Sequence, residues 1–331
     1  DTKVVVAMSG GVDSSVAAVM LKKEGYDVTG ITLKLYNNSN VSKNKSCCAG
    51  VDINDAKNVA LNNDFPHIVL DYQERFFDGV ISNFVDSYSN GETPLPCVKC
   101  NQTVKFTDLL NEAKNIGADA LVTGHYAIRR GSLTNASLHK ARDITKDQSF
   151  FLFATLQEQL DFVRFPLGDF KKSEIRKIAK EFNLDISDKP DSQDICFVTS
   201  DSYRNLINNL NPDAVKKGNI YNINGDIVGT HNGITNYTIG QRRGIGMSGF
   251  KEPLYVIDID KKQNSITLGP KDSLKKNLIN FKNINWLGGK ISSKQLDCSA
   301  KIRSTQEDMP GILNINGSEG TFSFHSKLDA T

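Results

Sequence analysis

Apolar runs and amphipathic stretches alternate along the first half of the chain. Runs with the aliphatic, β-branched composition of strands buried on both faces lie at 4–8, 28–35, 67–70 and 120–123. Stretches with helical spacing of apolar residues lie at 16–21, 52–61, 76–88 and 171–182. This alternation predicts an α/β domain, with a Rossmann-like, doubly wound parallel sheet, over residues 1–200.

The pattern changes beyond residue 200. After a short helix at 201–210, strand and turn signals dominate, and Asn224-Gly225 between apolar alternations predicts a hairpin. We expect a central β domain at 201–275 and a C-terminal β-barrel-like domain at 276–331. Its predicted strands lie at 284–286, 298–303 and 320–324. Thr331 falls within that pattern, so we expect the last domain to be incomplete at its C-terminal end.

The segment Ser9-Gly10-Gly11-Val12-Asp13-Ser14-Ser15, hereafter the glycine loop, directly follows the first strand. Two glycines let the backbone approach an anion, the N–H groups of the following helix point at it, and the serine hydroxyls add donors. The sequence contains neither the Walker pattern GxxxxGK[ST] nor the dinucleotide pattern GxGxxG at this position. The glycine loop therefore predicts a phosphate site of another class. A glycine-rich turn with a serine cap is the alternative.

Length and composition narrow the class of protein. The 331 residues exceed one ordinary domain and are 39% hydrophobic and 24% charged, as in globular proteins. No apolar run approaches 18 residues, and no signal-peptide pattern opens the chain, so we expect a cytoplasmic protein without a membrane partner. Six cysteines in that setting are expected to be reduced thiols. The adjacent pair Cys47-Cys48 is poorly spaced for zinc.

Charge is distributed unevenly. The net charge is +2, but residues 201–331 carry +5 and the first 200 residues carry −3. A basic C-terminal part favours a polyanionic partner, although solvated surface lysines would give the same count. Gln241-Arg242-Arg243, between glycines, is a cationic segment suited to RNA phosphates, and a solvated basic turn is the alternative.

A Cys-x-x-Cys pair, Cys97 and Cys100, follows two prolines and precedes a helical stretch that extends to about Ile116. Cys100 is expected near a helix N-terminus, with Lys99 and Lys105 close in sequence. Both features lower the pKa of a thiol, so we expect a reactive thiolate at Cys100. A zinc site, which needs two more ligands, and a purely structural pair remain open.

Five blocks occur in order along the chain: the glycine loop, Cys-Asn-x-x-Val-Lys-Phe at 100–106, Thr-Gly-His-Tyr at 123–126, Lys-Asp-Gln-Ser at 146–149 and Asp-Ser-Gln-Asp-Ile-Cys-Phe at 191–197. Together they resemble the tRNA-specific 2-thiouridylases (MnmA/TrmU family), in the superfamily of N-type ATP pyrophosphatases, or PP-loop enzymes. The resemblance spans nearly the whole chain. It implies an adenine nucleotide alpha-hydrolase-like domain followed by two smaller β-rich domains.

The resemblance also implies roles for individual residues. Cys100 would be the nucleophilic cysteine, Cys196 would carry a persulfide, and Asp13 would be a catalytic carboxylate and Mg²⁺ ligand. The implied ATP-binding residues are Ala7, Met8, Ser9, Gly10, Gly11, Val12, Asp13, Ser14, Leu33 and Gly124. The implied tRNA-binding residues are Leu95, Pro96, Cys97, Lys146, Asp147, Gln148, Arg303 and Ser304. Cys97 departs from the family pattern, in which many relatives have aspartate, so a second thiol could compete with Cys100.

The implied reaction is ATP-dependent thiolation of C2 of the wobble uridine in tRNA. A carbonyl oxygen is a poor leaving group, whereas adenylation converts it into AMP, and Mg²⁺ neutralises the phosphates. The Cys196 persulfide would supply sulfur, and Cys100 would release it as sulfide or resolve it as a Cys100–Cys196 disulfide. The implied partners are tRNA, with its base splayed out of the stack, and a persulfide-donating protein, either a cysteine desulfurase or a sulfur-relay protein.

Two other classes of function remain open. Another PP-loop adenylating enzyme, such as a carbonyl-amidating ligase or a lysidine-type tRNA synthetase, would share the glycine loop but would not need Cys100 and Cys196. A non-catalytic RNA-binding relative would keep the loop as a vestige and would consume no ATP in the presence of tRNA.

Overall fold

The computed structural model describes residues 2–36, 50–191, 195–198, 202–247, 252–289 and 293–329. The strands are β1 (Lys3–Ala7), β2 (Asp27–Lys34), β3 (His67–Asp71), β4 (Ala120–Thr123), β5 (Ile128–Arg130), β6 (Ser137–His139), β7 (Val163–Arg164), β8 (Gly218–Tyr221), β9 (Ile227–His231), β10 (Tyr255–Asp260), β11 (Ser265–Gly269), β12 (Lys275–Lys282), β13 (Gln295–Ala300), β14 (Met309–Asn316) and β15 (Glu319–Asp329). The α-helices are α1 (Val12–Lys23), α2 (Gly50–Asn62), α3 (Gln73–Phe76), α4 (Ser82–Ser89), α5 (Pro96–Cys100), α6 (Leu110–Asn115), α7 (Gln157–Phe162), α8 (Lys172–Glu181) and α9 (Ser202–Leu210). Cys47-Cys48 and the Ser192-Gln193-Asp194 part of the cysteine motif lie outside the described residues.

Two π-helical segments, Phe77–Ile81 and Asn101–Leu109, each connect two α-helices without a break in the helical backbone. The first continues α3 into α4, which confirms the helix predicted at 76–88. The second continues α5 into α6, which confirms the helix predicted up to Ile116. Pro96 begins α5, where a missing N–H costs no hydrogen bond.

The residues form two compact units. The first contains Asp1–Val80, Pro96–Ser200 and Asn285–Ile291, and the second contains Ile81–Leu95, Asp201–Ile284 and Ser292–Thr331. The boundaries at 200 and 275 drawn from the sequence remain predictions.

The first unit is built on a five-stranded parallel sheet in the order β3-β2-β1-β4-β7. Val5 and Val6 of β1 are fully buried, as expected for a central strand that is covered on both faces. This confirms the doubly wound parallel sheet predicted from the sequence. Because the chain runs from β1 to β2 on one side and places β4 on the other, the order reverses between β1 and β4, which is where ligands bind in open α/β sheets.

The second unit contains two four-stranded sheets. One has the order β10-β11-β8-β9 and packs Ile220, Val256 and Ile266 into its core. The other is antiparallel, in the order β12-β15-β14-β13, with Phe322 and Phe324 buried on it. These sheets confirm the smaller β-rich part of the predicted fold.

Helix α4 also belongs to this second unit, although it lies far from the two sheets in sequence. Tyr88 stacks on Tyr203 of α9 with 4.8 Å between ring centroids, and the Asn211 side chain donates to Ser89 Oγ at 3.0 Å. Phe84 is buried as well.

Two details of the sequence prediction were wrong. Residues 284–286 are not a strand, because β12 ends at Lys282 and Asn283 has a φ of 57°, which breaks the extended backbone. Cys298, expected to be a buried small hydrophobe, is exposed, because β13 is an edge strand whose side chains lie mostly toward solvent.

Among the helices in the described parts of the chain, none has the length and apolar composition that crossing a bilayer requires.

Candidate active site

The glycine loop connects β1 to α1 and is held in place by its own polar groups. The backbone N–H of Ser9 donates to Ser14 Oγ at 3.1 Å, and Ser14 Oγ donates to the Gly11 carbonyl at 3.3 Å. Gly10 has a φ of +73°, and a Cβ added there would lie 2.1 Å from the Asp52 carbonyl oxygen. The loop can therefore keep this shape only with glycine at position 10. Gly11, the N-cap of α1, has no side chain to cover the N–H groups of the first turn.

The ends of the neighbouring strands come close to the glycine loop. A Cβ on Gly124, directly after β4, would lie 2.8 Å from the Ser14 nitrogen. Thr32 Oγ1 in β2 donates to the Met8 carbonyl at 2.8 Å, and Leu33 beside it is buried. The structure thus brings the predicted nucleotide residues from 7 to 14, Leu33 and Gly124 to one edge of the sheet.

Asp13 is engaged by two groups that the sequence did not single out. Lys172 Nζ donates to both carboxylate oxygens, at 2.6 and 2.7 Å, and the Tyr126 hydroxyl donates to Oδ1 at 2.8 Å. The Lys172 side chain is only 9% exposed. Burial and the adjacent Asp13 charge raise the pKa of Tyr126, so it stays protonated as a donor.

Asp191 is the centre of a second ion cluster. Its carboxylate pairs with Lys172 at 2.9 Å, Lys146 at 2.8 Å and Arg176 at 3.0 Å. Partial burial raises the pKa of Asp191, but hydrogen bonds and charge from Lys146 and Lys172 outweigh it and lower the pKa to about 2. Through Lys172, this cluster is continuous with Asp13.

Lys189 makes a third set of contacts. Its ammonium donates to the Gly10 carbonyl at 2.9 Å and to Asp52 and Asp55 at 2.6 Å each. Burial lowers the pKa of Lys189, but the two carboxylates outweigh it and raise the pKa overall. The contacts tie the glycine loop and α2 to the segment that precedes Cys196 in sequence.

Cys100 is the last residue of α5 and is buried. The neighbouring Asn101 side chain donates to the Phe151 carbonyl at 3.1 Å, which ties this helix to the turn after Gln148. Burial raises the pKa of Cys100, and the opposing charge of Lys105 does not reverse the shift. The prediction of a lowered thiol pKa was therefore wrong, because removal from water disfavours the thiolate more than the nearby lysine favours it.

Cys196 is half-buried and follows the Asp191 cluster in sequence. Its neighbour Phe197 is buried and packs edge-on against Phe76, with 5.7 Å between ring centroids. Cys97, Cys100 and Cys298 are free thiols. No cluster of three or more His, Cys, Asp or Glu side chains that could hold a metal lies within the described ranges.

The three predicted tRNA contacts at 146–148 each have a partner within the first unit. Lys146 pairs with Asp191, as described. Asp147 Oδ1 accepts the backbone N–H of Ala141 at 2.9 Å, and Gln148 Oε1 accepts that of Tyr126 at 2.9 Å. Asp147 and Gln148 therefore shape this turn, and a contact of either with tRNA stays a prediction.

The other predicted tRNA contacts are divided between the units. Pro96 is buried and Cys97 exposed in the first unit, whereas Leu95 is exposed in the second. Arg303 is exposed and Ser304 partly exposed in the turn after β13, also in the second unit. Their roles stay predictions.

Comparison with known proteins places the chain in a family. Residues 2–200 match the model of the tRNA methyl transferase HUP domain, and residues 206–270 match that of the tRNA methyl transferase PRC-barrel domain. The chain is 54% identical over 316 residues to the tRNA-specific 2-thiouridylase MnmA of Ehrlichia canis (strain Jake). The aligned residues make up 95% of this chain and 85% of that protein. The proteins of the same name from Rickettsia bellii (strain OSU 85-389) and Rhodospirillum centenum are 52% and 47% identical, over 96% and 97% of this chain and 86% and 83% of theirs. The chain belongs to the MnmA family.

Within this MnmA-family site, sequence reasoning missed Lys172, Tyr126 and the roles of Lys189 and Asp191. Tyr126 and Asp191 lie inside sequence motifs that were recognised, so the motifs could have marked them as site residues. Lys172 gave no signal, because it is 159 residues from Asp13 and looks like any other lysine at the start of a helix.

Proposed function

We propose that this protein catalyses ATP-dependent thiolation of C2 of the wobble uridine in tRNA, with sulfur delivered from a persulfide on Cys196. The observation that carries the proposal is the attachment of the chain before Cys196 to the glycine loop, through Lys189 and Asp191. A phosphate-binding loop and a thiol are needed together when an oxygen must be activated and then replaced by sulfur. Because its proposed substrate is tRNA, we place the reaction in the cytoplasm.

In the first step, O2 of the uridine attacks the α-phosphorus of ATP, pyrophosphate leaves, and N3 loses its proton. The glycine loop offers backbone N–H groups to the phosphates, and Lys172 adds a cation beside Asp13. These donors stabilise the charge that develops on the departing pyrophosphate. The product has AMP, a good leaving group, on C2.

Asp13 fits a magnesium ligand. Oδ1 accepts hydrogen bonds from Lys172 and Tyr126, and Oδ2 from Lys172, which leaves one lone pair of Oδ2 for a cation. One carboxylate is enough when phosphate oxygens and water supply the other ligands, as is common for Mg²⁺. Such an ion would offset the charge of the phosphates.

In the second step, the terminal sulfur of the Cys196 persulfide attacks C2, and AMP leaves. Cys100 then gives up its thiol proton and attacks Cys196 Sγ, and the electron pair of the broken S–S bond passes to the sulfur on C2, which becomes a thiocarbonyl as N3 regains a proton. The two cysteines are left as a disulfide, which a thiol reductant resets. A persulfide-donating protein, a cysteine desulfurase or a sulfur-relay protein, reloads Cys196.

A single-turnover assay tests the proposal. The protein is mixed with ATP, Mg²⁺, a persulfide donor and unmodified tRNA, and AMP and thiolated tRNA are quantified, the latter on a mercury-containing gel. We expect both products from the unaltered protein, and no thiolated tRNA from Cys100→Ser or Cys196→Ser. Cys298→Ser, at an exposed position in the other unit, is the matched control and should behave like the unaltered protein.

Other outcomes would point to the alternatives. AMP without thiolated tRNA would indicate another nucleophile on the adenylated oxygen, as in other PP-loop enzymes. No AMP would indicate a non-catalytic RNA-binding protein. The description of the matching family models mentions methyl transfer. Methyl transfer needs no adenylation, so it would leave the glycine loop, Cys100 and Cys196 without a role.

A further inference from the structure

Two thiols lie one turn apart on the helix that carries Cys100. Helix α5 contains Cys97 and Cys100, and side chains three residues apart on a helix have their Cβ atoms about 5–6 Å from each other. A disulfide needs a Cβ–Cβ distance of about 3.8 Å. Cys97 lies in the first turn, where backbone N–H groups have no partner within the helix, so it can close this gap without breaking a hydrogen bond of its own N–H. A disulfide between the two is therefore within reach.

The two thiols also interact electrostatically. Burial raises the pKa of Cys100, the charge of Lys105 opposes that shift, and a negative charge on Cys97 raises the pKa further. Charges at a protein surface are screened from each other beyond about 10 Å at 0.1 M salt, so the effect of Cys97 requires it to lie near Cys100. The electrostatic effect and the helical spacing agree on this proximity.

Access to water differs between the two members of the pair. Cys97 is exposed and Cys100 is buried, and both are free thiols. A reductant in solution can reach a sulfur atom at Cys97 but not one at Cys100, and Cys196 is half-buried. The helix therefore presents one thiol to the solvent and the other to the interior of the first unit.

The proposed reaction ends with a disulfide between Cys100 and Cys196. Cys196 cannot accept another sulfur until it is a thiol again, and its partner in that disulfide is buried. Thiol–disulfide exchange requires a thiolate to approach one sulfur of the disulfide, so a reductant in solution reacts slowly with a buried one. A thiol that already lies within reach of Cys100 removes that obstacle.

We propose that Cys97 is the resolving thiol of the reaction and that, with Cys100, it forms the redox pair on which the reductant acts. Cys97 gives up its proton and attacks Cys100 Sγ, the bond between Cys100 and Cys196 breaks, and the electron pair stays on Cys196, which takes up the proton. A dithiol reductant then attacks the new Cys97–Cys100 disulfide at Cys97. In becoming a disulfide itself, it supplies the two electrons and two protons that restore both thiols. This role rests on the proposed function, which creates the first disulfide.

The first part of the test forms the Cys97–Cys100 disulfide without any substrate. The protein is equilibrated with mixtures of glutathione and glutathione disulfide, blocked with N-ethylmaleimide and digested with trypsin. Because trypsin cuts after Lys99, the disulfide holds two peptides together, and mass spectrometry detects them as one linked pair. We expect the linked pair to accumulate as the share of glutathione disulfide rises, and to be lost in Cys97→Ser.

Cys298→Ser, at an exposed position in the other unit, is the matched control and should keep the linked pair. Glutathione bound to Cys97 in place of the linked pair, in the unaltered protein, would overturn the proposal.

The second part follows one turnover under nitrogen and without reductant. Protein that carries the persulfide on Cys196 is mixed with ATP, Mg²⁺ and unmodified tRNA, quenched with acid, blocked and digested. We expect each thiolated tRNA to be matched by a Cys97–Cys100 disulfide, with Cys196 modified by N-ethylmaleimide as a thiol. In Cys97→Ser, and in Cys97→Asp, which has the residue of many relatives, the disulfide should remain between Cys100 and Cys196. The same mixture without ATP gives the background.

The outcomes separate this role from the proposed function. Thiolated tRNA together with a disulfide between Cys196 and either Cys97 or Cys100, in the unaltered protein, would overturn the role of Cys97 alone. No thiolated tRNA would contradict the proposed function and, with it, the role of Cys97. Because disulfides are counted per thiolated tRNA, weaker binding of tRNA by a Cys97 variant does not alter the result.

Discussion

At the scale of single residues, the glycine loop depends on space that only a glycine leaves free. In Gly10→Ala, the positive φ costs about 1–2 kcal/mol, and the new methyl group must also displace the Asp52 carbonyl. We expect a lower free energy of unfolding, measured with urea, together with loss of AMP formation.

Gly117→Ala separates the two causes, because Gly117 has a φ of +77° but nothing within 4 Å of an added Cβ. It should pay only the cost of the positive φ. Equal losses of unfolding free energy in the two variants would show that the contact with Asp52 does not contribute to the cost of Gly10→Ala.

The pH dependence of Cys100 tests the effect of burial on its thiol. Burial raises the pKa of Cys100 above the usual 9.0, so the thiolate forms only at higher pH. We therefore expect the alkylation rate of Cys100 to have its midpoint above pH 9.0. Lys105→Met removes a charge that lowers the pKa, so it should move the midpoint further up. Trypsin cuts after Lys99 and places Cys97 and Cys100 on separate peptides, which keeps their signals apart. A midpoint below 9.0 would instead favour a thiolate stabilised by the helix.

The site could be predicted from the sequence only as far as its local parts. The glycine loop, Gly124 and the motif cysteines are recognisable because their neighbours share their function. The partners of the loop are remote, since Lys189 is 179 residues from Gly10, and a charged side chain carries no periodicity that reveals its partner. The pKa of Cys100 was misjudged for a related reason, because burial depends on how distant elements pack.

At the scale of elements, Lys189 joins α2 to the glycine loop. Lys189→Met leaves two mostly buried carboxylates without their cation, and we expect a loss of about 3 kcal/mol in the free energy of unfolding.

Lys180→Met is the control for this change, because its pair with Asp188 is exposed and worth at most about 1 kcal/mol. Urea denaturation of both variants gives the comparison. A similar small loss in both would mean that water screens the buried cluster as well as it screens the surface pair.

In the first unit, β1 to β4 were predictable as short apolar runs, and α1, α2 and α8 as stretches with apolar residues at helical spacing. The short elements β5, β6, β7 and α7 were not predicted. The second unit was predictable only in part. Its edge strand β13 shows no clear alternation, and residues 284–286 combine strand-forming side chains with a preceding Asn283 in the left-handed region. That α4 packs with α9 has no local signal, because both partners have ordinary amphipathic patterns.

At the scale of the whole molecule, the first unit does not coincide with the first 200 residues. A fragment of residues 1–200 retains α4 but lacks α9, so Tyr88 would lose the Tyr203 ring that stacks on it. We expect this fragment to bind a hydrophobic dye and to associate, measured by fluorescence and by size-exclusion chromatography. The intact chain is the control. A monomeric fragment that binds no dye would show that α4 finds other cover within the first 200 residues.

The position of α4 also sets an order of events on the ribosome. Ser89 and Asn211 are 122 residues apart, and at about 5–20 residues per second their synthesis is separated by about 6–24 s. During that interval the apolar face of α4 has emerged and its partner has not. During synthesis the chain therefore exposes the apolar face of a helix, and this is the stage at which we expect chaperones to associate with it.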